Sequence, residues 1–149
     1  MMHPKIKLCL SALFFASFQS VLCKIDFVRD VKPILEHNCV SCHREDNAKG
    51  KVRLDDKASA FAGDDVIVPG KPEDSSLYWT TTLPVDDELF MPPIKNEEKD
   101  YPLTDSEKKI LSDWIKEGAD WPDEEKLVSY KRLPKKIDFV EHVQPILEL

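Results

Sequence analysis

Thirteen residues near the start of this chain are written a second time near its end. KIDFVRDVKPILE at 24–36 returns as KIDFVEHVQPILE at 136–148, identical at ten of thirteen positions and differing only at Arg29/Glu141, Asp30/His142 and Lys32/Gln144. A match that keeps the same aspartate, phenylalanine and proline in the same order marks the start of a repeated unit. One unit of small-domain size therefore lies between the copies. The residue equivalent to Cys39 would fall two positions past Leu149, so the second unit is expected to be incomplete. The reading is a domain over 24–122, a charged linker over 123–135 and the start of an incomplete second repeat over 136–149. Such a chain is expected to be the front of a longer tandem protein, with downstream domains as partners.

Residues 1–23 read as a signal peptide. Lys5 and Lys7 precede an apolar run over 8–18, which has the length of a leader's hydrophobic region and is too short to span a bilayer. Cleavage is expected after Cys23, which places the mature chain in the periplasm with no membrane span. Leu22-Cys23 also permits a weaker reading as a lipid-anchoring site. The net charge of −7 carries no clustered basic surface, which argues against a nucleic-acid partner. Eleven prolines against four glycines point to stiff, extended connections and away from long sheets.

Asp26 is placed to cap a helix in which Phe27, Val31, Ile34 and Leu35 form one apolar face, with Pro33 expected to kink or restart it. A second helix is expected from Pro72, followed by Glu73 and Asp74 ahead of Leu77, Tyr78 and Trp79. The clearest helix comes last. Thr104 and Glu107 make a capping box, Ile110, Leu111, Trp114 and Ile115 line one side, and Gly118 stands where a helix-ending glycine belongs. Between these helices runs a long irregular middle, which needs something to pack around. The acidic pairs at 55/56, 64/65, 86/87 and 97/98 read as solvated loop charges.

The chemistry lies in Cys39-Val40-Ser41-Cys42-His43. This spacing is the attachment signature of c-type haem, in which two thiols form thioethers with the vinyl groups and the adjacent imidazole ligates iron. On a helical turn, residues i and i+3 face one way, so both tethers reach one macrocycle. A disulfide between the two cysteines and a zinc site are the alternatives. Zinc wants four ligands, and the mature chain adds only His37 and His142 as nitrogen donors. For the sixth iron position, Met91 is the one thioether left once Met1 and Met2 depart with the leader. It is followed by Pro92 and Pro93, which stiffen a loop and remove two N–H groups. Phe27, Ile34, Leu35, Leu54, Phe61, Leu77, Trp79, Phe90, Ile110 and Trp114 are candidates for the cofactor's walls or the core. Arg53, Trp79 and Tyr101 are candidate propionate partners.

Taken with FVRDVKPILEHN before the cysteines, RLDD, VPGKPEDSSLY, Met91-Pro92-Pro93 and the closing LTDSEKKILSDWIKEGADWP, the motif resembles a planctomycete-type cytochrome c domain over residues 24–122. The resemblance implies an all-α fold, a small cytochrome c fold of few helices and long loops wrapped around one covalent haem c. It also implies that Cys39 and Cys42 are the tethers, His43 the proximal ligand and Met91 the distal one. A departure is Lys51-Val52 after Gly50, where relatives often carry a second glycine.

The expected function is that of a mono-haem module carrying single electrons to and from an unidentified redox partner protein, and not an enzyme. Its rivals are a haem peroxidase or ligand sensor with a labile Met91, and a thiol-disulfide oxidoreductase using Cys39 and Cys42. The last would need a βαβ pattern that the sequence lacks.

Overall fold

The computed structural model describes residues 24–94, 102–130 and 139–148. Its first element shows how one proline shapes a helix. Asp26 caps it, its carboxylate accepting the Arg29 N–H at 2.8 Å. Phe27–Val31 then forms a π-turn, in which the Lys32 N–H reaches back to the Phe27 carbonyl, and helix α1 follows over Lys32–Asn38. Pro33 lies in the first turn of α1. It has no N–H to donate and its ring would crowd the carbonyl four residues back, so the widened turn falls just upstream and a regular helix restarts at the proline.

Phe27, Val31, Ile34 and Leu35 are buried, with Phe27 4% exposed. They meet the long helix α4, Asp105–Lys116, through Leu111, Trp114 and Ile115. Phe27 stacks on Trp121 with ring centroids 4.3 Å apart and lies 5.6 Å from Trp114. Both indole N–H groups are satisfied, Trp114 donating to the Asp120 carbonyl at 2.9 Å and Trp121 to the Glu125 carbonyl at 3.0 Å. Each aliphatic side chain so buried contributes about 1.5–3 kcal/mol relative to exposure.

Helix α4 has the expected capping box, Thr104 and Glu107 each bonding the other's backbone. It ends as expected at Gly118, φ +106°. The Gly118 N–H donates to the Ile115 carbonyl and the Ala119 N–H to that of Trp114, the paired bonds of a Schellman motif. The helix expected from Pro72 is broken into a 3-10 turn over Pro72–Asp74, the short helix α3 over Ser76–Trp79 and a second 3-10 turn over Thr80–Thr82. Ser75 is the cause. Its buried hydroxyl donates to the Lys71 carbonyl at 2.8 Å and accepts the Val68 N–H at 2.9 Å, giving the backbone an alternative to the helix. A further short helix, α2 over Lys57–Ala60, is capped by Asp56.

The all-α expectation needs a correction. The architecture is helix-rich, but His43–Arg44 (β1) pairs antiparallel with Asn47–Ala48 (β2), placing His43 opposite Ala48. Strands of two residues are too short to show a period of two, so the sequence pattern carries no trace of them.

The repeated segment takes the same local form as the first copy, a π-turn over Phe139–Val143 followed by helix α5 over Gln144–Leu147 with a proline in its first turn. Phe139, Ile146 and Leu147 are exposed, whereas their counterparts Phe27, Ile34 and Leu35 are buried. The two copies thus share a backbone shape while differing in how far the apolar face is covered.

Candidate functional site

Cys39 caps the C-terminus of α1, its N–H donating to the Leu35 carbonyl at 2.9 Å. The next four residues form a clasped turn. The N–H groups of Cys42 and His43 both donate to the Cys39 carbonyl at 3.1 Å, while Val40 points into the core. The turn is held from outside as well, Asn47 Nδ2 donating to the Ser41 carbonyl at 2.7 Å and the Lys49 N–H to that of Cys42 at 3.0 Å. The expectation that Cys39 and Cys42 sit on a helical turn describes these bonds. No disulfide joins the two cysteines.

Cys39, Cys42 and His43 line one wall of a cavity of about 820 Å³, within the size range of cofactor sites. Met91, Pro92 and Pro93 line it too, although they lie some fifty residues downstream in sequence. The Met91 loop is pinned by its N–H to the Thr80 carbonyl at 3.1 Å and by buried Phe90, whose N–H bonds the Asp87 carbonyl at 3.1 Å. Two of the wall's threonines hide their polarity. Thr80 Oγ1 donates to the Ser76 carbonyl and Thr81 Oγ1 to that of Tyr78, each at 2.7 Å. These back-bonds leave the lining largely apolar, a feature that a run of three threonines does not announce in sequence.

Burial holds the His43 imidazole below its ordinary pKa of 6.5, against the pull of the Val52 and Lys49 backbone carbonyls, with the Lys49 ammonium adding to the fall. The neutral ring that this favours is the form that ligates metals. Its Nδ1 is buried with no hydrogen-bond partner. Among the described residues, no cluster of three or more His, Cys, Asp or Glu side chains is assembled to hold a metal ion, so the zinc alternative lacks a ligand set there.

Of the expected wall residues, Leu54, Leu77 and Trp79 line the cavity, while Phe27, Ile34, Leu35 and Trp114 are core. Phe61 meets Trp121 edge-on at 6.4 Å, and buried Phe90 anchors its loop. The Arg53 guanidinium is spent on Asp55 at 2.9–3.0 Å and on Asp56 at 3.1 Å, and it does not face the cavity. The pair Asp55 and Asp56 is thus structural: one carboxylate holds Arg53, and the other also caps α2. Tyr101 and the 97/98 pair lie outside the described residues, as do the signal peptide and the side chain of His142. Ser129 and Tyr130 also line the cavity, coming from the segment expected as a charged linker.

Residues 39–95 match the family model described as Planctomycete cytochrome C. The chain carries a planctomycete-type cytochrome c domain. A cytochrome c domain binds covalently attached haem c, which is the cofactor here, and its general role is that of a haem-binding electron carrier. The match opens at Cys39 and takes in Met91. It is narrower than the 24–122 resemblance carried by the sequence motifs. No curated protein and no solved structure matches the chain. Among the described residues, no helix is long and apolar enough to cross a membrane.

The residues present suit this cofactor. Two thiols at the required spacing, a neutral imidazole next to them and a thioether lining the same largely apolar cavity match the donor set of a covalent haem. The buried Nδ1 of His43 is the nitrogen left for a second contact when Nε2 serves as ligand.

Proposed function

We propose that the chain is an exported mono-haem c cytochrome module that carries single electrons. In this reading Cys39 and Cys42 are the tethers, His43 is the proximal ligand and Met91 the distal ligand. The observation that carries it is that one cavity is lined by all four side chains. When bound, haem c supplies a one-electron iron couple. The protein does the rest. Sγ of Cys39 and of Cys42 fix the cofactor within one clasped turn, and the neutral His43 ring presents a lone pair. Met91 would supply the second ligand, where a thioether would raise the potential. The apolar walls hold water away.

Export rests on the leader over 1–23, with cleavage after Cys23 and a periplasmic destination. The repeat supports a second module beginning at 136, in which the exposed face of Phe139, Ile146 and Leu147 would be covered as its counterpart is in the first. A redox partner protein with a basic face suits the exposed acids Asp86, Asp87 and Glu88, which adjoin the cavity-lining Leu89.

Met91→Ala tests the ligand assignment. In the haem-loaded reduced protein, proton NMR should show a methionine methyl resonance shifted strongly upfield by the macrocycle. The variant should lose that signal, keep the haem and bind carbon monoxide quickly. A wild-type protein that already binds carbon monoxide quickly would favour the ligand-sensor or peroxidase reading. An unchanged spectrum in the variant would remove Met91 from the iron.

A further inference from the structure

The segment after Trp121 is rich in charge and was expected to be a linker, yet through Tyr130 it is laid along the domain. Lys57 pairs with Asp123 and Lys32 with Glu125, each at 2.6 Å. Lys126 forms an antiparallel bridge with Asp56, and the Leu127 N–H donates to the Asp55 carbonyl at 2.8 Å. Leu127 itself is 5% exposed and packs in the core.

Two of the last three residues of the strap are tied to one residue, Glu36. Glu36 is 5% exposed, a costly place for a carboxylate unless it is bonded. Its Oε1 accepts the Val128 N–H at 3.0 Å, and its main-chain carbonyl accepts the Tyr130 N–H at 3.3 Å. Tyr130 then stacks on His37 with ring centroids 5.5 Å apart and planes inclined by 25°. Tyr130, Ser129 and His37 all line the cavity that holds the cysteines. Glu36 stands three residues before Cys39, so the same turn of α1 that leads into the cysteines also fixes the strap.

We propose that Ser129 and Tyr130, at the end of the strap over 123–130, are a wall of the haem site, in which Glu36 positions the strap and Tyr130 covers the edge of the cavity beside His37, limiting the water that reaches the cofactor. The inference rests on the haem reading and deepens it by assigning a role to chain outside residues 39–95. Water at a haem edge stabilises the more highly charged oxidised iron, so removing the cover should lower the reduction potential.

The test uses the haem-loaded chain and four variants. Tyr130→Ala should lower the potential, and Tyr130→Phe, which keeps the ring, should leave it unchanged. Glu36→Ala should speed exchange of the Val128 amide at least about fivefold, the equivalent of one net hydrogen bond, and lower the potential in parallel. Glu36→Gln, which keeps an oxygen acceptor, should restore both. If Glu36→Ala does not fold, half-exposed Tyr130 still carries the test. A folded Tyr130→Ala protein with haem attached and an unchanged potential would overturn the strap. Failure of the wild-type chain to take up haem at all would overturn the haem reading on which it rests.

Discussion

Trp121 lies well past the residues that match the cytochrome c family model, yet it is among the most buried side chains of the chain, 1% exposed. Trp121→Ala removes the ring that stacks on Phe27 at 4.3 Å and frees the Glu125 carbonyl that its indole N–H satisfies. Truncating a buried tryptophan costs about 3–5 kcal/mol, of which the aromatic pair supplies roughly 0.5–1.5 kcal/mol. Against a total stability of about 5–15 kcal/mol, the loss is about a fifth or more. At roughly 4–8 °C per kcal/mol for a domain of this size, Tm should fall by about 12–40 °C. Urea unfolding of the haem-loaded protein, followed by far-ultraviolet circular dichroism, measures the change. Trp121→Phe keeps one ring against Phe27 but loses the N–H and the volume of the second ring, so it should cost less than the alanine variant. A loss below about 1.5 kcal/mol for the alanine variant would mean that the 114–121 region is not part of the core, and the 24–122 domain would have to be redrawn.

Three further outcomes follow from single interactions. Lys51 holds φ +63° immediately after Gly50, itself at φ +63°. Left-handed strain of about 1–2 kcal/mol should outweigh the backbone entropy of a glycine, about 0.5–1 kcal/mol, so Lys51→Gly should raise the urea midpoint; a lowered midpoint would contradict the strain. Thr104→Ala removes the cap of α4 and should cost about 1 kcal/mol with an unchanged denaturant slope. Burial alone would raise the Asp55 pKa, but the Arg53 guanidinium and the backbone N–H groups of Asp55 and Glu45 outweigh it and hold the carboxyl below its ordinary 3.8. A depressed folded-state pKa contributes stability that is present above the unfolded value and lost as pH falls through the folded one. Acid titration should therefore destabilise the protein below about pH 4, and Arg53→Ala should flatten that limb; an unaltered limb would remove Asp55 as its source.

Helix α4 was legible because every signal for it is local: a threonine three residues before a glutamate, apolar residues at i, i+1, i+4 and i+5, and a glycine just past the end. The cysteine turn stood out by its spacing, and Met91 as the one methionine outside the expected leader. The joining of Met91 to the cysteines across one cavity is consistent with that logic, but no local pattern carries it. The π-turn could not be read, since it arises from the effect of Pro33 on the turn before it. The break at Ser75 was hidden by the same limitation, because a serine reads alike whether its hydroxyl faces water or two loop backbones. The largest omission was the strap. Asp123, Glu125 and Lys126 look like solvated linker, and what fixes them is Lys57, Lys32 and the backbone of Asp56, all more than sixty residues away in sequence.

The intact mass of residues 24–149, exported from a host with cytochrome c maturation machinery and measured under denaturing, reducing conditions, tests the haem assignment most directly. A mass raised by one haem, and unchanged in a Cys39→Ala, Cys42→Ala double variant relative to its apoprotein, is the expected result. An apoprotein mass with two titratable thiols would contradict covalent attachment and return Cys39 and Cys42 to disulfide or metal chemistry.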